Sequence, residues 1–335
     1  MEILVVNQSE VPQLLPMDEC MEVMAEALKA LARGEAILPL RPTMYLPDRT
    51  DSLVMMPAYL GNLDVVGLKV VTYFPGNQGT SHDTHQGGVM LFDTANGSLL
   101  ALIDATEITA IRTPAVTGVA TDLLARPEAS TLAILGSGTQ ARGHLEAMML
   151  VRPINQVRVW GLPLEDARDF AEREGARHGV DIRAAETAES AVAGADVVCT
   201  TTSAREPVLF GKWLEPGMHI NAIGSSIPFT RELDTEAVVK SKMFVDRRES
   251  ALNEAGDFLM PKEEGAIDEN HIRGEIGELL LGRVEGRSSS DEITLYKSLG
   301  LAIEDLASAY HIYTSAKEKG LGTWLELGGG RHETP

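Results

Sequence analysis

Leu132-Ala-Ile-Leu135-Gly136-Ser137-Gly138-Thr139-Gln140-Ala141 is the stretch on which the reading of this chain turns. An apolar run of strand length feeds a glycine turn, and a helix-like segment, Ala141 to Leu150, follows directly. That order suits a dinucleotide pyrophosphate. The first glycine makes the tight turn, the second lets the backbone approach the phosphates, and a small third residue, here Ala141, lets the helix pack on the strand. The helix N-terminus then offers N–H groups and a partial positive charge to the anion. Gly136, Ser137, Gly138, Thr139, Gln140 and Ala141 are therefore the candidate phosphate cradle.

Outward from this motif the chain alternates between strand and helix patterns. Strands are expected at Thr131–Leu135, Gln156–Trp160, Asp181–Ala184, Asp196–Thr201, His219–Ile223 and Met243–Asp246, with helical segments such as Glu165–His178 between them. Such alternation implies a parallel, doubly wound sheet. The N-terminal part has a different texture. Pro16 to Gly34 reads as an amphipathic helix with Met17, Met21, Met24, Leu28 and Leu31 at helical spacing, a stripe that belongs in a core. The β-branched run Val65–Tyr73 and the segments Val89–Phe92 and Leu99–Ile103, which flank Asn96-Gly97, point to an antiparallel sheet. A helical pattern from Leu299 to Lys319 is expected to pack back on that first domain. The expected fold class is thus α/β. It combines a Rossmann domain over 116–299 with an α+β substrate and dimerisation domain built from both chain ends, 1–115 and 300–335. The tail from Gly328 to Pro335 reads as frayed.

With 335 residues the chain is long enough for two cores. Its 29 basic and 49 acidic residues give a formal charge of −20, which argues against nucleic acid or an anionic membrane as partner. The two cysteines, Cys20 and Cys199, lie far apart in apolar stretches, as buried thiols of a reducing compartment do. The N-terminus lacks the basic start of a signal peptide, and no apolar run is long enough to span a membrane, so a cytoplasmic protein is expected.

Lys69 stands inside an otherwise apolar strand. It is either an edge lysine facing water or a cation turned into a cleft, where desolvation and a bound anion set its proton affinity. Arg112, in the polar patch Glu107–Gly118, offers a planar fork for a carboxylate, and Thr113 adds a hydroxyl. Arg41, ahead of Pro42, is a further candidate; with Lys69 and Arg112 it would clamp a small carboxylate at the domain interface. His82 and His85 superficially suggest a metal cluster, but side chains three apart in a loop or strand diverge and no further ligands are evident, so no metal is expected. Asp93, Asp104 and Glu107 read as turn and cap residues. After the second nucleotide strand come Gly161-Leu162-Pro163, with neither an acid for a ribose diol nor an arginine for a 2′-phosphate. The lack of a basic anchor leans towards NAD(H) over NADP(H).

Gly67-Leu-Lys69-Val-Val, Ile108-Thr-Ala-Ile-Arg112-Thr113, the glycine motif, Glu206–Trp213, Gly217–Gly224 and Lys297-Ser298-Leu-Gly300 together resemble the ornithine cyclodeaminase/mu-crystallin family along nearly the whole chain. The resemblance implies a homodimer whose members either reduce α-imino acids with a nicotinamide cofactor or use NAD to cyclise ornithine or lysine. The cyclodeaminases carry an aspartate where this chain has Ser226 and a glutamate near the position of Val54, so a diamine substrate loses its countercharges here. Ser226 is similar to the ketimine reductase branch, whose usual arginine is replaced by Leu162. What the resemblance implies is NAD(P)H-dependent reduction of an α-imino acid, a cyclic ketimine or an open-chain imine such as iminosuccinate, to an L-amino acid. Lys69 is then the catalytic proton donor and Arg41 and Arg112 hold the carboxylate. Arg112 and Thr113 also reach the cofactor, while Thr201, Ser203 and Ser298 line its cleft and His85 is a second-line relay. An alanine-type dehydrogenase, a cyclodeaminase and a crystallin-like binding protein without turnover are the alternatives.

Overall fold

The computed structural model describes residues 2–47, 51–77 and 79–328, and the chain divides into two compact units, Met1–Arg112 with Leu301–Pro335, and Thr113–Gly300. The tail expected to fray lies, from 329 onward, outside the described residues.

In the first unit β1 (Glu2–Val6), β2 (Ala36–Ile37), β3 (Thr43–Tyr45), β4 (Ser52–Leu60), β5 (Val65–Tyr73), β6 (His85–Asp93), β7 (Leu99–Asp104) and, from the far end of the chain, β16 (Thr323–Glu326) form one sheet. Their order is β16-β1-β7-β6-β5-β4-β2, with β3 also paired to β4. The hairpins are antiparallel as the sequence suggests, but β1 runs parallel to β7, so the sheet is mixed. The Asn96-Gly97 turn joins β6 to β7, and Asp93 Oδ1 accepts from the Ala95 N–H at 2.8 Å. The helix Met17–Arg33 starts after Pro16 and stops at Gly34, burying Met17, Met24 and Leu28, whereas Met21 and Leu31 are only partly covered.

The helix Ala302–Lys319 lies against β4, β5, β6 and the helix Met17–Arg33. Every residue from Ala302 to Ala309 is buried, the pattern of a helix head enclosed on all sides. Gly67 on β5 permits this approach: a Cβ there would stand 2.5 Å from Leu306 Cδ1. Because side chains two apart on a strand share a face, Lys69 points to the same side as Gly67. Spacing on β5 thus delivers a lysine to the head of a buried helix.

In the second unit β8 (Thr131–Leu135), β9 (Gln156–Trp160), β10 (Asp181–Ala184), β11 (Val197–Thr200), β12 (His219–Ala222), β13 (Lys242–Val245), β14 (Ile272–Glu275) and β15 (Thr294–Lys297) form a second sheet. It is parallel throughout, in the order β10-β9-β8-β11-β12-β15-β13-β14. The strand order reverses at β8/β11, the place where doubly wound sheets bind ligands. Two strands escape the sequence reading. β15 is Thr-Leu-Tyr-Lys, short and ending in a charge, yet all four residues are buried and the strand is paired on both sides, with β12 and β13. β14 is only Ile-Arg-Gly-Glu.

The segment 107–118 is no isolated polar patch but part of a continuous helix, Ala105–Leu124, with Pro114 inside it. Proline removes one backbone N–H and normally breaks a helix. Here residues 111–120 are all buried, and packing outweighs the lost bond. Among the described residues no helix is long and apolar enough to cross a membrane.

Candidate active site

Lys69 is not an edge lysine. It sits on a strand paired on both sides, opposite Met56 of β4 and Val89 of β6, and only 3% of its surface is exposed. Its Nζ donates to Thr109 Oγ1 at 2.6 Å and to Asp305 Oδ1 at 2.9 Å. Thr109 spends its own hydroxyl proton on the Ala105 carbonyl, 2.6 Å away, so towards the lysine it accepts. Arg112, one helical turn beyond Thr109, donates Nε to the same Asp305 Oδ1 at 3.0 Å and Nη1 to Glu304 Oε2 at 3.0 Å. Two cations and two carboxylates are thereby gathered at the head of the helix Ala302–Lys319.

Burial brings the Lys69 ammonium down to about 8, with the Asp305 carboxylate pulling the other way and the Arg112 charge adding to the fall. Burial alone would raise the carboxyl of Asp305, but Arg112 and Lys69 together hold it below the usual carboxylate range. At neutral pH the lysine carries its proton and releases it more readily than an ordinary lysine, which is what a general acid near the working pH requires. Arg41 is partly buried on the connection from β2 to β3. Of the three cations expected to hold a carboxylate, Lys69 and Arg112 share one acceptor. His85 opens β6 beside Tyr73, their ring centroids 4.7 Å apart, and bonds Thr84 Oγ1 through Nδ1 at 3.1 Å.

In the second unit the glycine motif joins β8 to the helix Thr139–Val151. Gly136 has φ 118°, and a Cβ there would lie 2.6 Å from Thr201 Oγ1 and 2.7 Å from its carbonyl oxygen. Thr201 in turn donates its N–H and Oγ1 to the Leu135 carbonyl at 2.7 and 3.1 Å, binding the ends of β8 and β11 together. Gly138 is the N-cap, with no side chain capping the helix, and a Cβ on it would meet nothing within 4 Å. A helix N-terminus without a side-chain cap, fronted by open space, fits a pyrophosphate. Ser137 Oγ packs where a Cβ on Gly161 would come, at 2.7 Å, and Ala141 is fully buried. His144 pins the turn from below, bonding the Gln140 carbonyl at 2.7 Å and Thr117 Oγ1 at 3.1 Å.

The remaining cofactor candidates are spread through this unit. Thr113 is buried in the helix Ala105–Leu124, its carbonyl accepting from Thr117 Oγ1 at 2.9 Å. Ser203 is exposed after β11, and Ser298 is buried with its N–H on the Ala222 carbonyl at 3.1 Å. After β9, Leu162 is 77% exposed.

Sequence reasoning missed Thr109, Glu304 and Asp305. The acids left one usable signal, two adjacent charges inside the apolar run Leu301-Ala302-Ile303 … Leu306-Ala307. Among the described residues no group of three or more His, Cys, Asp or Glu side chains is arranged to hold a metal ion.

The profile of the ornithine cyclodeaminase/mu-crystallin family matches residues 1–320. A Delta(1)-pyrroline-2-carboxylate reductase from a Bacillus cereus strain is 37% identical over 326 residues, covering 97% of this chain and 100% of that protein. The ketimine reductase mu-crystallin of Mus musculus is 41% identical over 282 residues, 84% of this chain and 86% of the relative. The solved structure of Thermococcus litoralis Delta(1)-pyrroline-2-carboxylate reductase in complex with NADH and L-proline is 39% identical, with a TM-score of 0.93 over 96% of this chain and 99% of that one.

Proposed function

The chain belongs to the ornithine cyclodeaminase/mu-crystallin family, and we propose that it reduces an α-imino acid to an L-amino acid with a nicotinamide cofactor, NAD(H) in preference to NADP(H). The substrate class is a cyclic ketimine such as pyrroline-2-carboxylate or an open-chain imine such as iminosuccinate. The observation that carries this reading is the buried ammonium of Lys69, held between Thr109 and Asp305 with Arg112 on the same carboxylate oxygen.

The glycine turn of Gly136, Ser137, Gly138, Thr139, Gln140 and Ala141 holds the cofactor pyrophosphate, and Thr113, Thr201, Ser203 and Ser298 contribute from the same unit. When bound there, the cofactor supplies the hydride that adds to the imine carbon. Lys69 gives its Nζ proton to the imine nitrogen, because an iminium accepts hydride far better than a neutral imine, and it recovers a proton from solvent afterwards. Arg112, with Arg41, holds the substrate carboxylate. Glu304 and Asp305 offset the charges of Arg112 and Lys69, and once Lys69 has given up its proton the substrate is an iminium carboxylate, itself a zwitterion. Leu162 offers no basic group to a 2′-phosphate, which favours NAD(H). Ser226 cannot supply the countercharge of a second amine, which disfavours cyclodeamination. We also propose a cytoplasmic homodimer; both cysteines are buried free thiols, as a reducing compartment allows.

The test is oxidation of NADH and NADPH with pyrroline-2-carboxylate, and with pyruvate, glyoxylate or oxaloacetate plus ammonium or methylamine. Turnover that collapses in Lys69→Ala while NADH still binds supports imine reduction. Nucleotide binding with no oxidation of any of these pairs would sink it, and preference for pyruvate with ammonium would favour an alanine-type dehydrogenase.

A further inference from the structure

Outside the Lys69 cluster, the buried ionisable side chains of the second unit for which the reaction above has no use include Glu232, Asp257 and Lys297, each 0% exposed. They converge beneath the loops that follow β11 and β12. Glu232 Oε1 accepts from the N–H and the hydroxyl of Thr202, both at 2.7 Å. Oε2 accepts from Thr200 Oγ1 and the Gly224 N–H, also both at 2.7 Å. One carboxylate therefore ties the loop leaving β11 to the loop leaving β12. The loops touch at Gly224, where a Cβ would stand 2.0 Å from the Thr202 carbonyl oxygen and 2.5 Å from Glu232 Oε1.

A second tie holds the first. Asp257 Oδ1 accepts from the N–H groups of Glu232 and Leu233 at 2.9 and 3.0 Å. Its other oxygen is 2.9 Å from Lys297 Nζ, at the end of β15. Lys297 also donates to the Ala222 carbonyl at 3.3 Å and to the Ser225 carbonyl. Three strand ends are thus stitched into one frame.

A doubly wound sheet takes one mononucleotide half on each side of the reversal in strand order. The glycine turn after β8 takes the pyrophosphate, so the loops after β11 and β12 belong to the other half. We propose that Glu232 is a positioning residue for the nicotinamide half of the cofactor. It sets the paired loops that carry Thr201, Ser203, Ser225 and Ser226, with Asp257 and Lys297 fixing Glu232 and the second loop. The requirement is for a carboxylate: main-chain N–H groups approach both oxygens, so the NH2 of an amide at this position always meets a donor. This inference rests on the proposed function and deepens it.

The experiment compares NADH with ADP-ribose, which lacks the nicotinamide, by calorimetry and by the fluorescence of bound NADH. In Glu232→Gln, NADH affinity should fall about tenfold or more and the bound-nicotinamide emission should revert towards that of free NADH, with ADP-ribose affinity within about twofold of wild type. Thr202→Val, which deletes one hydroxyl donor and spares the carboxylate, should shift the same ratio by about threefold, and it decides the matter if Glu232→Gln does not fold. Equal weakening of both ligands, or no change in either, overturns the proposal. Wild-type protein that binds neither nucleotide overturns the functional reading instead, and the inference falls with it.

Discussion

Asp305→Asn isolates the charge that holds the buried ammonium of Lys69, the proposed proton donor. The amide keeps an oxygen able to accept from Lys69 Nζ and Arg112 Nε, so the shape and two hydrogen bonds survive while the negative charge is lost. At the observed 2.9 Å, and with an effective dielectric constant of about 20, the Lys69–Asp305 attraction is about 6 kcal/mol before desolvation and relaxation are set against it. Opposite charges this close typically move a proton affinity by about one to three pH units. The sign follows from which form the carboxylate favours. Asp305 stabilises the ammonium, so its loss lets burial drive Lys69 below its present value of about 8. With Lys69 as the proposed acid of imine reduction, the basic limb of the kcat/KM profile should therefore move to lower pH by about one to three pH units. In the reverse, amine-oxidising direction the neutral lysine is the base, and its rising limb should move the same way. The assay is initial rate against pH with NADH and pyrroline-2-carboxylate, repeated with NAD+ and L-proline. Stability should fall by less than the roughly 3–5 kcal/mol typical of a broken buried pair, because Lys69 can shed its proton. Limbs that stay in place, or move to higher pH, refute the assignment of Lys69 as the titrating acid.

The glycine turn yields a paired prediction. Gly138→Ala should melt like wild type, since its Cβ meets nothing, but bind NADH at least about tenfold more weakly; unchanged binding removes the turn from the cofactor site. Gly136→Ala should lose about 1–3 kcal/mol of stability as well, because φ 118° and the Thr201 contacts both oppose a side chain. Acid should unfold the second unit early. Burial lowers His144 to about 4 and His219 to about 3, so below pH 6.5 the unfolded chain binds protons that the folded chain refuses. Each should cost about 1.4 kcal/mol per pH unit as pH falls towards those values. Thermal melts from pH 7 to pH 5 check this, and His144→Gln should flatten the slope; an unaltered slope would falsify the linkage.

The nucleotide-binding sheet was legible because its rules are local. An apolar strand, a glycine that must take positive φ, and an alanine that lets a helix pack lie within ten residues, and each leaves a mark that needs no partner elsewhere. The same holds for the helix Met17–Arg33 and the Asn96-Gly97 hairpin. β15 and the helix through Pro114 failed for the opposite reason. Lys297 ends a strand only because Asp257 neutralises it, and Pro114 is tolerated only because its surroundings are packed. Long-range compensation overrides local preference in both, and a sequence shows the preference alone.

That distinction also explains why the cations of the candidate site could be named and their partners could not. Lys69 and Arg112 stand out as charges where the local pattern calls for apolar residues. Each looked available for a substrate carboxylate. The structure adds that both already share Asp305 Oδ1, while Arg112 also holds Glu304. These acids stand 236 and 192 positions away in sequence from Lys69 and Arg112 respectively. They come within reach because Gly67 lets the head of the helix Ala302–Lys319 settle on β5. The site is therefore balanced before any ligand arrives. A lone lysine and arginine in a dry pocket would bind any small carboxylate and hold it. With Asp305 and Glu304 present, both cations are already paired, so a carboxylate alone gains little from them; what an imine offers beyond an oxo group is a nitrogen basic enough to take the Lys69 proton. Selection for an imino acid over an oxo acid then resides in the proton on Lys69, and Asp305 on the last long helix helps set how firmly that proton is held.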